Sequence, residues 1–302
     1  MNTAGPDHAA LVGAVVAAWP EHEAALERAM PTEVRERQTV EQVSGAVRRL
    51  TGRELDRYVE GYRWMCSMVL EEELEFRRNG RYRYSTFAEV EHRVYADPSV
   101  MSRYMDGLLL SQVLWANHMA ILDFYVNDFW GAAAESRAHL EVGPGHGLLL
   151  WLASSRMAGT LAGWDISETS LGRTAHALEK LGAPDGITLT SRNVFSDDTP
   201  ERFDSVVLSE VLEHLEEPGL ALERLRDCMR PGGRIFVNAP INSPAIDHIT
   251  LFRTPEELVD LVASKGFEVE KTRFAAATGH TLERARKRAL SISCAIVARR
   301  VG

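Results

Sequence analysis

Cysteine is scarce in this chain of 302 residues. The three present, Cys66, Cys228 and Cys294, share no short spacing. That excludes a disulfide scaffold and a clustered thiolate metal site, and it suits a reducing compartment. Long apolar runs are also missing. The run near the start, "LVGAVVAAW", falls short of the roughly 20 residues that cross a bilayer and has no basic leader before it. The expectation is a cytoplasmic protein with no membrane partner. Positive charge is in deficit: 34 Lys and Arg against 43 Asp and Glu give a net charge of −9. An acidic chain of this kind is a poor binder of nucleic acid. Its one basic run, "ERARKRAL" at 283–290, reads as a solvated helix face. Internal repeats and low-complexity segments are absent.

Strand signals are nearly lacking up to residue 136. There apolar residues recur at helical spacing, in "ELDRYVEGYRWMCSMVLEEELEF" and in "VMSRYMDGLLLSQVLWANHMAILDFYVNDFW". "NGRYRYS" and "ADPS" break the pattern. Tyrosine is confined to this half, from Tyr58 to Tyr125. After residue 136 short β runs alternate with helices. "HLEVG", "TLAGWDI", "ITLTSRNV", "FDSVVLS", "RIFVNAP", "FEVEKTRF" and "SISCAIVARR" read as strands. Between them, a helix from 167 is capped by Ser167 or Thr169, "GLALERLRDCMRPGG" is a helix ended by Pro-Gly-Gly, and Thr254 with Glu257 forms a capping box. The alternation predicts an α/β fold. A doubly wound, mostly parallel sheet occupies residues 137–302, with an all-helical cap over residues 1–136. Ligands of such sheets bind at the carboxyl ends of the strands.

What stands at those ends is informative. "LEVGPGHG", residues 140–147, follows the first strand and opens a helix. Gly143, Gly145 and Gly147 give a backbone open to positive φ and to close ligand approach. The spacing is G-x-G-x-G, not the G-x-G-x-x-G of a dinucleotide site. Glu141 just before it would repel a pyrophosphate but suits an ammonium group. Asp165, 22 residues after Gly143, ends the second strand and suits both hydroxyls of a ribose. Asn193, after the third strand, suits an adenine amine through its carbonyl oxygen. Ammonium, ribose and adenine together describe S-adenosylmethionine.

On four elements, "LEVGPGHG", "GWDIS", "FDSVVLSEVLEHLEEP" and "MRPGGRIFVNAP", residues 137–302 resemble the class I S-adenosylmethionine-dependent methyltransferases. The resemblance implies a seven-stranded sheet with an antiparallel last strand. It implies cofactor contacts at Glu141, Gly143, Gly145, Gly147, Asp165, Ile166, Asn193, Val194 and Glu210. Asn193 departs from the Asp that the family more often carries.

For the chemistry, Glu210 lies just past the fourth strand, and His214 is one helical turn on. His214 is a candidate base, or a residue that holds the loop. The segment lacks the H-x-x-E-H spacing of zinc peptidases, so no metal is expected there. Asp247 and His248, in "NAPINSPAIDHITLFRTPEE", are candidates for orienting an acceptor or for proton transfer, with a metal site alongside His214 as a lesser alternative. In the helical half, Tyr104, Gln112, Asn117 and His118 punctuate an apolar helix. Tyr104 and His118 are the candidates to face a substrate. The reading is a methyltransferase acting on a small-molecule acceptor, a specialised metabolite or amino-acid-like acid, as monomer or homodimer. Attack on another carbon of the cofactor's sulfonium, releasing methylthioadenosine, and a non-catalytic cofactor-binding protein are the alternatives.

Overall fold

The computed structural model describes residues 3–196 and 201–302. The first part is helical: α1 Pro6–Ala18, α2 Glu23–Ala29, α3 Val34–Thr51, α4 Leu55–Asn79, α5 Phe87–Val90, α6 Pro98–Leu114, α7 Ala116–Phe124 and α8 Trp130–Ala132. The apolar stretch expected as one helix over 100–130 is broken. Trp115 adopts an extended conformation between α6 and α7, and Tyr125–Phe129 forms a π turn. Its periodicity runs on across Trp115, which is why the break leaves no mark in the pattern.

The second part runs β1 Ala138–Val142, α9 Leu148–Ser154, β2 Thr160–Asp165, α10 Glu168–Lys180, β3 Thr188–Ser191, β4 Phe203–Ser209, α11 Pro218–Asp227, β5 Met229–Ile241, α12 Pro255–Ser264, β6 Phe267–Ala276, α13 Leu282–Arg288 and β7 Ile292–Arg300. The strands form one sheet in the order 3-2-1-4-5-7-6. Only β7 runs antiparallel to its neighbours, as the resemblance implied. The strand order reverses between β1 and β4, and this places the crevice for a ligand at their carboxyl ends.

Two details differ from the sequence reading. Pro-Gly-Gly does not end α11, which stops at Asp227. Those residues open β5, where the register against β4 slips between Phe203 and Ser205. The turn before α12 is half a capping box: Thr254 accepts from the Glu257 amide, but the Glu257 carboxylate accepts from the Arg253 amide. The expected Ser167 cap is present, and α13 is the expected solvated basic helix.

Alternation along the strands sends side chains to two separate cores. Val206, Leu208, Ile235, Val237 and Ile296 pack with α11 and α12. Val207, Phe236, Ala295 and Val297 join a core that continues into the helical part through Phe124, Tyr125 and Phe129. The helices therefore share an apolar core with one face of the sheet. Contacts between rings fix the joint: Tyr125 and Phe129 lie 5.2 and 5.6 Å from Phe236. Asn117 donates to Ser293 of β7 at 2.9 Å, so this residue anchors α7 to the sheet.

β1 sends Leu140 and Val142 to one core and the polar pair His139 and Glu141 to the other side, both buried. His139 bonds Ser205 Oγ at 2.8 Å and lies 5.1 Å from Trp130. Burial lowers its pKa to about 3. In the unfolded chain the imidazole gains a proton near pH 6.5, and in the fold only near 3. Stability is therefore complete above the unfolded value and falls as pH drops below it. The expected loss from this group is about 1.4 kcal/mol at pH 5.5. Urea unfolding at pH 7.5 and 5.5 should show a shallower acid loss for His139→Gln by about that amount. An unaltered acid loss would contradict the role assigned to His139.

Candidate active site

The loop after β1 is built as the glycines predicted. Gly143, Gly145 and Gly147 all adopt positive φ, of 68°, 50° and 72°. A Cβ at Gly143 would meet Val211 Cγ2 at 2.7 Å, so the loop is pressed against the segment after β4. At Gly145 the nearest atoms to a built Cβ are Gly143 O and Met105 Cε, both at 3.9 Å. Helix α6 thus lies over the loop. Gly147 caps α9, and His146 Nδ1 accepts from the Leu148 amide at 3.3 Å.

At the root of this loop Glu141 is 3% exposed, and its Oε2 has no partner among the described residues. Burial holds its pKa well above the ordinary carboxylate value. A buried carboxylate oxygen without a donor is costly unless a ligand supplies one. An ammonium group is the donor that fits. The strand ends agree. Asp165 Oδ1 accepts from the Ser167 amide at 2.9 Å and Oδ2 from Ser170 Oγ at 2.7 Å, so the carboxylate is held in place with lone pairs to spare. Ile166 beside it is 55% exposed, an apolar side chain on the face that a flat base would cover. Asn193 Oδ1 accepts from the Phe195 amide at 2.9 Å, and Val194 is half-buried. The donor and acceptor chemistry of these residues is what S-adenosylmethionine would need: Glu141 could hold an amino group, Asp165 a ribose, and Asn193 with Ile166 an adenine.

Across the crevice lies a second cluster. Glu210 takes a positive φ of 55° at the end of β4, and Asn238 donates to its Oε1 at 2.8 Å. Burial pushes its pKa up to about 7, against the pull of His214 and Asn238. Glu213 and His214 sit in the turn Leu212–His214. Glu213 is fully buried with its carboxyl beside that of Glu210, and burial followed by Glu210 drives its pKa far up. His214 Nδ1 bonds the Asp247 carbonyl at 2.9 Å. His248 Nδ1 bonds the Ser243 carbonyl at 2.7 Å, its ring 5.0 Å from that of His214. Burial lowers the pKa of His248 to about 4.

The helical part reaches this cluster through three tyrosines. Tyr104 and Tyr95 donate to the two oxygens of Asp247 at 3.2 and 3.4 Å, and Tyr82 accepts from the Ser243 amide at 3.1 Å. Burial, with Asp247 next in effect, raises the pKa of both Tyr95 and Tyr104, so they stand as neutral donors.

The structure thus brings together Glu210, His214, Asp247, His248 and Tyr104 among the sequence candidates. Asp247 and His248 do not pair as proton carriers, because each is engaged elsewhere. His118 is placed differently. Its Nδ1 lies 3.1 Å from Ser111 Oγ, its ring 5.0 Å from that of Trp115, and its charge neighbour is His146. Burial lowers the pKa of both His118 and His146 to about 4, leaving two neutral imidazoles beside the glycine loop. The sequence reading missed Glu213, Tyr95 and Tyr82. Glu213 carried a signal, an acid next to His214 in a segment otherwise apolar on that side.

Comparison with known proteins agrees with this geometry. Residues 140–235 match the model of a methyltransferase domain. A ubiquinone biosynthesis O-methyltransferase of Aeromonas salmonicida is 30% identical over 110 residues, which is 35% of this chain and 44% of that protein. One from Paracidovorax citrulli is 34% identical over 107 residues, again 35% and 44%. The chain therefore spans less than half the length of these curated relatives. Among solved structures, the S-adenosylmethionine-dependent methyltransferase SibL in its apo form superposes with a TM-score of 0.55 at 15% identity, covering 82% of this chain and 74% of that one. That likeness is one of fold and extends into the helical part. Among the described residues no helix is long and apolar enough to cross a membrane. By its glycine loop, its strand order and the match over 140–235, the chain carries a methyltransferase domain similar to those of the class I S-adenosylmethionine-dependent methyltransferases.

Proposed function

We propose that this protein transfers a methyl group from S-adenosylmethionine to a small-molecule acceptor held between the sheet and the helical part, residues 1–136. The observation that carries the reading is the unpartnered, buried Glu141 Oε2 at the root of the glycine loop. When bound, the cofactor supplies a methyl group already activated on a sulfonium. The chain's own work is then to bind, orient and exclude water. Glu141 and Asp165 fix the two ends of the cofactor. Tyr82, Tyr95 and Tyr104 tie the loop after β5 to the helices, which encloses the acceptor side. A proton leaving the acceptor falls to Glu210 or His214, the groups that follow β4. The tyrosine ties between the loop after β5 and the helices, with a net charge of −9, favour a small acceptor over a macromolecule.

The test is to incubate the purified protein with S-adenosylmethionine, alone and with fractionated small metabolites, and to follow the nucleoside products by mass spectrometry. S-adenosylhomocysteine formed only with acceptor supports the reading. Methylthioadenosine would mean that another carbon is attacked, and no product from any fraction would remove the catalytic role. In the same preparation Asp165→Ala should bind S-adenosylhomocysteine at least tenfold more weakly by calorimetry, since a charge-assisted ribose bond is worth about 1.5–3 kcal/mol. Affinity within twofold of the parent would remove Asp165 from the pocket.

A further inference from the structure

The cluster opposite the glycine loop is composed almost wholly of hydrogen-bond acceptors. A backbone carbonyl can only accept, so Nδ1 of His214, on the Asp247 carbonyl, carries the proton, and so does Nδ1 of His248, on the Ser243 carbonyl. In the neutral form of each ring Nε2 is then the nitrogen with a lone pair to give. Glu213 is fully buried, and its carboxyl has only the neighbouring carboxyl of Glu210 within hydrogen-bonding reach among the described residues. One ligand atom from each of Glu213, His214 and His248 lies within 4.8 Å of the others, and Glu213 Oε1 is 3.8 Å from His214 Nε2. A cation placed among these three groups would meet one donor atom from each.

We infer that Glu213, His214 and His248 bind a divalent cation. The backbone carbonyls on the two Nδ1 atoms orient the rings as outer partners orient metal-bound histidines. Two imidazoles and a carboxylate suit a borderline first-row ion such as Mn²⁺, Co²⁺ or Zn²⁺ over Ca²⁺, which takes oxygen ligands. Donors about 2.0–2.2 Å from one ion sit roughly 3–4 Å from each other, so a pair at the observed limit of 4.8 Å needs to close by about 1–2 Å, within reach of side-chain rotation. The lesser alternative of the sequence, a metal on His214, Asp247 and His248, had the wrong carboxylate: Asp247 is engaged by Tyr95 and Tyr104. This set lies outside the zinc-peptidase spacing because its second histidine comes from the loop after the next strand. With three protein ligands the ion keeps positions open for an acceptor oxygen, and Glu210 remains beside it for the proton. That role on the acceptor rests on the methyl-transfer reading, while the binding of the ion does not.

The test uses the full-length, untagged protein, stripped with chelator and dialysed. Titration with Co²⁺, followed by visible absorption and by elemental analysis of the dialysed protein, should give one ion per chain. Glu213→Gln and His248→Ala should each weaken uptake at least tenfold, while the exposed His280→Ala should leave it unchanged. Circular dichroism identifies any variant that fails to fold, and the parent's stoichiometry stands independently of both. S-adenosylhomocysteine binding is measured on the same samples. No uptake by the folded parent, or uptake indifferent to both substitutions, overturns the metal site and leaves the cofactor reading intact. Uptake with the expected variant pattern but no nucleoside binding supports the metal site and removes the methyl-transfer reading instead.

Discussion

Glu141→Met is expected to make the ligand-free protein more stable and its cofactor binding much weaker. Both effects come from one atom. Glu141 Oε2 is buried without a partner, and burial drives the group's pKa well up. A group whose folded pKa is raised costs stability as pH climbs past its unfolded value near 4.5, because the unfolded chain gives up its proton and the fold does not. Near neutrality, above the unfolded value, that cost is present. Methionine has a similar reach and no lone pair to desolvate, so removing the carboxyl should return about 1–3 kcal/mol. In a chain of this size each kcal/mol moves the unfolding midpoint by about 2–4 °C. The same substitution removes the carboxyl group proposed to meet the cofactor's ammonium. A charge-assisted bond of about 1.5–3 kcal/mol corresponds to a 10- to 100-fold loss of affinity. Thermal unfolding with and without S-adenosylhomocysteine reads both at once. The parent should start lower and rise on ligand addition, and the variant should start higher and barely move. A variant that is less stable and still responds to ligand would show that Glu141 supports the strand and not the cofactor.

Glu141 also marks how far the sequence reached. The sheet was legible because each strand carries a local signal: Val206, Val207 and Leu208 alternate between two cores within three residues. The glycine loop was legible because only glycine takes three positive φ values in five positions at no cost. Asp165 and Glu141 were legible through their distance from that loop along the chain. What stayed hidden depends on pairings between distant segments. Asp247 is 143 residues from Tyr104 and 152 from Tyr95, and no periodicity links them. His118 reads as a polar insertion in an apolar helix whichever way it points, and the extended Trp115 turns it towards His146. Glu213 drew no reading of its own in the sequence. The turn buries it because Ile249 and Thr250 both donate to its carbonyl oxygen, which draws the loop after β5 over its side chain.

Asp247→Ala is expected to lower stability by about 2–4 kcal/mol and turnover by about 100-fold, with cofactor affinity within twofold of the parent. The carboxylate is 5% exposed and is the acceptor for two buried phenols at once. Stranding a buried donor costs about 1–3 kcal/mol, and the lengths of 3.2 and 3.4 Å put each of these bonds towards the lower half of that range. The backbone carbonyl of residue 247 survives the substitution, so the bond to His214 Nδ1 is retained in kind. What is lost is the tie between α6 and the loop that carries His248. A displacement near 1 Å at a reacting centre is enough for a 100-fold drop in rate. A double-mutant cycle separates this account from a general loss of packing. In a Tyr95→Phe/Tyr104→Phe background there are no phenol hydroxyls left to strand, and Asp247→Ala should then cost less than half of what it costs in the parent. An equal cost in both backgrounds would mean that the tyrosines do not hold Asp247. Cofactor affinity that falls in step with turnover would mean that this loop serves the cofactor pocket instead of the acceptor.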